Sequence, residues 1–116
     1  MCLYIFILTH YNEIGGKDWQ LIISGRSTTS ASINIYDYSE FRLFYSSSGS
    51  TSVVTQSEVI VTLADLLDTN SNQPTLQTTI GFDGTKWLMT DAIFNISDNT
   101  VRIVPTAGGI AKLYVR

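Results

Sequence analysis

Cysteine and histidine are almost missing from this sequence. A single Cys (Cys2) and a single His (His10) in 116 residues exclude a zinc finger, a disulfide scaffold and any Cys/His metal cluster. Charge is scarce as well: Asp, Glu, Lys and Arg make up 15% of the chain, against about 25% in ordinary soluble domains. The seven Lys and Arg stand singly from Lys17 to Arg116, beside ten Asp and Glu, for a net charge of −3. The absence of a basic stripe argues against a nucleic-acid-binding domain, whose phosphate contacts need clustered Lys and Arg. Gly108-Gly109 lacks the Lys and the following helix of a phosphate loop. Long hydrophobic runs are missing too. Leu3-Tyr4-Ile5-Phe6-Ile7-Leu8 is far short of the roughly 20 residues of a transmembrane helix, so no membrane insertion is expected. No Lys or Arg precedes that run, and His10-Tyr11-Asn12-Glu13 follows where a signal peptide would carry small residues at a cleavage site. It reads as a fully buried strand, in the core or against another subunit. Residues 1–16 are therefore expected to form an oligomerisation or connecting strand, with no signal peptide.

What replaces the charges is hydroxyl. Ser and Thr cluster at Ser27-Thr28-Thr29-Ser30 and Ser46-Ser47-Ser48-Gly49-Ser50-Thr51-Ser52. Such a neutral surface lacks the charge that keeps domains apart, which predicts an oligomer whose interfaces hide apolar surface. Thr, Tyr, Phe, Ile and Val suit a pleated, half-buried surface, while Ser and Gly suit turns. A length of 116 residues falls within the roughly 100–200 residues of a single domain. Short apolar segments alternate with turn signals about every eight to twelve residues, the pattern of a sandwich or barrel. Strands are predicted at Trp19–Ser24, Ile33–Tyr36 and Phe41–Ser46, the last with Phe41, Leu43 and Tyr45 on one face. Ser52–Gln56 and Glu58–Thr62 read as two further pieces. Thr62 caps one short helix over residues 63–67, with Asp65 as its capping-box partner. Asp68–Thr75 is a loop. Asp83-Gly84 between Leu76–Phe82 and Thr85–Thr90 predicts a two-residue hairpin turn, and Asp98-Asn99 a second hairpin between Ala92–Ser97 and Thr100–Val104. Ala107-Gly108-Gly109 turns into a last strand, Ile110–Val115. The fold class is all-β: an antiparallel, jelly-roll-like β-sandwich of about eight or nine strands in one domain.

Residues with chemistry are few. A Ser-His-Asp triad needs His10, which follows the apolar run directly, and no Gly-x-Ser-x-Gly elbow occurs. Cys2 has no cation beside it in sequence to activate its thiol. Carboxylate pairs for general acid/base work are Asp37 with Glu40 and Asp65 with Asp68; such residues at corners and helix ends ordinarily cap turns. No enzyme and no cofactor is expected. Asp68-x-Asn70-x-Asn72 opens like a calcium loop, but Gln73 and Thr79 stand where an EF-hand needs Gly and a bidentate Glu. These three residues are a weak calcium candidate and no more. Asn95-Ile96-Ser97 fits the glycosylation sequon but falls inside a predicted strand. Trp19 and Trp87 sit in apolar segments and are expected in the core. Tyr36 and Tyr38 flank a corner, so Tyr36, Asp37, Tyr38 and Glu40 form the candidate ligand-binding surface.

Several segments taken in order resemble the carboxy-terminal domains of bacteriophage tail fibres and baseplate receptor-binding proteins. They are Trp19-Gln20-Leu21-Ile22, the corner Ile33-Asn34-Ile35-Tyr36-Asp37-Tyr38-Ser39-Glu40-Phe41, Ile96-Ser97-Asp98-Asn99-Thr100-Val101-Arg102-Ile103, and the terminal Ala111-Lys112-Leu113-Tyr114-Val115-Arg116. The resemblance runs from Trp19 to Arg116 and leaves Met1–Gly16 outside it. It implies a homotrimer at a virion tip, in contact with other tail proteins and facing the extracellular medium. The expected partner is a bacterial cell-surface glycan or protein, often a cell-wall polysaccharide. Two other readings are a virion structural or decoration module without receptor binding, and a small bacterial lectin-like carbohydrate-binding domain. The resemblance transfers no receptor-contacting residues. Three weak sites on one trimer would act together through their effective concentration.

Overall fold

The computed structural model describes residues 18–47 and 55–116. Leu3–Leu8, Cys2 and His10 lie outside them, as do Ser48–Val54. Among the described residues there are eight strands: β1 (Gln20–Gly25), β2 (Thr29–Ser32), β3 (Glu40–Ser47), β4 (Thr55–Thr62), β5 (Thr75–Phe82), β6 (Trp87–Asn95), β7 (Thr100–Pro105) and β8 (Gly109–Val115). They form two four-stranded sheets, β1-β8-β3-β4 and β2-β7-β6-β5, in which every pair is antiparallel. The expected all-β sandwich is therefore the fold. In the first sheet β8 lies between β1 and β3, and in the second β7 lies between β2 and β6. β3–β4 and β5–β6–β7 are neighbours in sequence and in space.

Period-two alternation builds the core. On β3, Phe41, Leu43, Tyr45 and Ser47 turn inward; on β8, Gly109, Ala111, Leu113 and Val115 do. The register sets the large Tyr45 against the small Ala111 and ends on two small residues, Ser47 opposite Gly109. The second sheet answers with Ala92 and Phe94 from β6 and Val101 and Ile103 from β7, all fully buried. Phe41 and Phe94 join the two layers edge-to-face, with centroids 5.5 Å apart. Burying one such ring is worth about 1.5–3 kcal/mol, so this contact is a principal tie between the sheets.

Arg116 closes one corner. Ser39 and Glu40 donate their backbone N–H groups to the Arg116 carbonyl, and Arg116 returns its N–H to the Glu40 carbonyl. Arg116 Nε also reaches the Glu40 carboxylate at 2.8 Å. Between β4 and β5 a single helical turn, α1 (Leu63–Asp68), seals the sandwich with buried Leu66. Its expected capping box is present. The Thr62 hydroxyl accepts from Asp65 N–H, and the Asp65 carboxylate accepts from Thr62 N–H.

Five expectations change. The predicted pieces Ser52–Gln56 and Glu58–Thr62 are, over the described residues, the single strand β4, with Ser57 kept in the ladder opposite Tyr45. The predicted strand Ile33–Tyr36 is a corner: the strand is β2, and a 3-10 turn spans Ile35–Asp37. The Asn34 side chain accepts from Tyr36 N–H and breaks the extended run, while Ile33 and Ile35 still plug the core. The separate pieces Thr85–Thr90 and Ala92–Ser97 are one strand, because Asp91 stays in the ladder opposite Gln77 and Val104. The Asp83-Gly84 turn is wider than two residues, with Phe82 paired to Trp87 and residues 83–86 in the loop. The turn at Asp98-Asn99 likewise starts earlier, with Asn95 paired to Thr100. This last change moves the Asn95-Ile96-Ser97 sequon from mid-strand to the strand end.

Candidate binding site

The corner residues divide. Tyr36 is 60% exposed on the 3-10 turn, with Asp37 exposed next to it. Tyr38 instead turns its ring edge-on to Phe41, centroids 6.5 Å apart, and the Glu40 carboxylate is held by Arg116. Two of the four candidates, Tyr36 and Asp37, thus face outward, and two brace the fold.

The Asp68/Asn70/Asn72 trio is occupied with turn chemistry. Asp68 ends α1, and Asn70 adopts a φ of 53°. The Asn72 amide donates to Asn95 Oδ1 and Ser97 Oγ, each at 3.1 Å, while its Oδ1 accepts from Ser97 N–H. Asn72 is therefore a clamp between the β4–β5 connection and the β6–β7 turn. Among the described residues, no group of three or more His, Cys, Asp or Glu is placed to hold a metal ion.

The tryptophans behave differently from each other. Trp19 is half-buried, with the Arg116 guanidinium 4.2 Å from its ring centroid. Trp87, expected in the core, is 57% exposed. The reason is the length of β6: counting back from buried Phe94, Ala92 and Thr90, alternation turns Trp87 outward with Met89, Asp91, Ile93 and Asn95. A bulge between Thr79 and Gly81 shifts the facing strand. It brings Phe82 out opposite Trp87, with centroids 5.4 Å apart.

A row of chemically varied side chains follows from that pair. Thr79 lies opposite Met89 and Gln77 opposite Asp91, and Gln77 Nε2 donates to Asp91 Oδ1 at 3.0 Å. An open depression is lined by Gln77, Thr79, Trp87 and Met89. Further along the same face, Ser30, Gln73, Ile93, Asn95, Thr100 and Arg102 line a second one. The hairpin beneath Trp87 is fixed by its loop. The Asp83 carboxylate accepts from the N–H groups of Thr85 and Lys86, which holds it below the usual carboxylate range. Lys86 Nζ reaches across to the Ala107 carbonyl at 2.9 Å.

The outer face of the other sheet has another character. Arg42 pairs with the Glu58 carboxylate and lies 5.2 Å from the Tyr114 ring centroid and 6.0 Å from that of Phe44. Lys112 stands 5.9 Å from Phe44 on the same face. Leu21 and Ile60 are half exposed at the sheet's two edges. This face therefore combines cations set against aromatic rings, one of them paired with a carboxylate, with exposed aliphatic side chains at its edges. No helix among the described residues is long and apolar enough to cross a membrane. No protein-family model, curated protein or solved structure matches the chain.

Proposed function

We propose that this domain is a non-enzymatic adhesive module of a bacteriophage tail tip. In this reading it binds a bacterial surface receptor, a polysaccharide in preference to a protein, and does so as a homotrimer. The observation that carries it is the Trp87 row: an exposed indole beside amide, hydroxyl and carboxylate groups on a rigid sheet face. An exposed ring offers a flat apolar surface to the C–H face of a sugar, and Gln77, Thr79 and Asp91 offer both donors and acceptors to its hydroxyls. The carboxylates weighed as acid/base pairs support the non-enzymatic reading, since Glu40 is bound to Arg116 and Asp65 caps α1. The ordered motifs resembling tail-fibre domains supply the virion context, and the half-apolar Leu21/Tyr114/Arg42/Ile60 face supplies a surface on which copies can meet.

Two measurements test this reading together. Light scattering on the purified protein is expected to give a trimer, and labelled protein is expected to decorate cells of a susceptible bacterial strain. A stable monomer at micromolar concentration that decorates no strain overturns it. A trimer that adheres to nothing favours the decoration-module reading instead.

A further inference from the structure

The Trp87 row does not end at Asp91. It runs down β6 through Ile93 to Asn95, and opposite Ile93 on β7 stands Arg102. Arg102 is exposed, and its guanidinium makes no ion pair or hydrogen bond among the described residues. Other strand-borne cations are engaged: Arg42 with Glu58, and Lys112 over Phe44. Arg102 lines the second depression of this face, with Ser30, Asn95 and Thr100 around it. From Trp87 to Ile93 is six residues of strand, or roughly 20 Å at about 3.3 Å each. A ligand touching both ends is a chain and not a single sugar.

Resting on the reading above, we propose that this face takes an extended polysaccharide carrying occasional acidic groups. One sugar ring stacks on Trp87, and a carboxylate or phosphate substituent several units along pairs with Arg102. The planar guanidinium suits both anions because it donates two parallel N–H groups. Asp91 sets the spacing of the acid. It lies between the two ends, already accepts from Gln77, and carries its charge toward the ligand face. A unit over Asp91 must be neutral, since an acidic one meets like charge there. The favoured polymer therefore carries neutral units between its acidic ones, and one with an acid on every unit is disfavoured.

The test uses surface polysaccharide extracted from a strain that the full chain decorates, in three forms: native, with carboxyl groups chemically reduced to alcohols, and dephosphorylated with hydrofluoric acid. Binding is followed by Trp fluorescence and calorimetry. Native polysaccharide is expected to bind the wild type at least about tenfold more tightly than the form lacking the relevant acid. The arm that loses affinity identifies carboxylate or phosphate. Arg102→Gln is expected to bind native and acid-depleted polysaccharide alike, at the wild type's weaker level and with a flatter salt dependence. Arg26→Gln removes the same charge elsewhere and is expected to bind as wild type does. Trp87→Ala is expected to lose all forms. If both treated forms bind as tightly as native, or Arg102→Gln retains the preference, the acidic specificity is wrong while the adhesive reading survives. If Trp87→Ala binds as wild type does, this face is not the site. If the chain decorates no strain, the underlying reading falls and takes this proposal with it.

Discussion

Tyr45 shows how one residue can set the tolerances around it. Its ring is fully buried and its hydroxyl donates to the Thr106 carbonyl at 3.0 Å. The adjacent glycines of the β7–β8 turn are glycine for different reasons. Gly108 has a φ of 97°, and a Cβ there would meet nothing within 4 Å, so its constraint is backbone. A Cβ on Gly109 would sit 2.3 Å from the Tyr45 ring, so its constraint is space. Gly109→Ala is expected to cost at least about 2 kcal/mol by overpacking. In a Tyr45→Leu background that cost should largely vanish, whereas the cost of Gly108→Ala should stay. Denaturant unfolding of the four variants and their parents measures both couplings. Burial also raises the Tyr45 phenol above its ordinary 10.0. A raised value means that the protonated phenol's stabilisation is complete below pH 10 and is lost as pH climbs through the folded value. Tyr45→Phe should cost about 1 kcal/mol at pH 7 from the lost hydrogen bond, and should flatten the alkaline fall in stability. An unchanged alkaline limb would assign that fall to other groups.

Among the elements, what was legible in the sequence was local. The capping box at α1 could be read because Thr62 and Asp65 satisfy each other's backbone N–H groups within one turn, with no help from the rest of the chain. Thr62→Ala should therefore lower stability by about 1 kcal/mol, and Thr62→Ser should restore most of it; equal losses for both would show that the hydroxyl is not the cause. The inward face of β3 was legible for a similar reason, since strict alternation of Phe41, Leu43 and Tyr45 leaves one choice of face. β6 was not, because Asp91 looks like a strand break. The group that keeps it in the sheet, the Gln77 amide, lies fourteen residues away. That break hides Trp87, because only a strand continuous from Phe94 turns it outward. Ile33–Tyr36 failed in the opposite direction: its apolar alternation was real, but the Asn34 side chain supplies a local hydrogen bond that competes with the ladder. At the proposed site, Arg102 and Gln77 had no signal at all in the sequence. Their meaning comes from the register of β5, β6 and β7, which the chain does not announce.

The molecule as a whole presents two outer faces that differ in chemistry, and on the proposed reading they divide the work. The β2-β7-β6-β5 face carries the Trp87 row and meets the receptor, while the β1-β8-β3-β4 face carries Leu21, Tyr114, Arg42 and Ile60 and meets other copies. Leu21 and Ile60 are 50% and 49% exposed, so charging them leaves the core untouched. The double variant Leu21→Glu/Ile60→Glu should keep the unfolding free energy of the isolated domain within about 0.5 kcal/mol. It should also convert the trimer to a monomer, because each contact would then bury unpaired carboxylates. Attachment to cells should fall far more than the affinity of one site, by about 100- to 10,000-fold, since linked sites gain that much through effective concentration. Binding of short oligosaccharides, which engage one site at a time, should not change. Light scattering, cell decoration and calorimetry on the same preparation separate these effects. A trimer that survives both glutamates would place the subunit contact elsewhere on the molecule, and a monomer that still decorates cells at full strength would show that a single Trp87 face suffices.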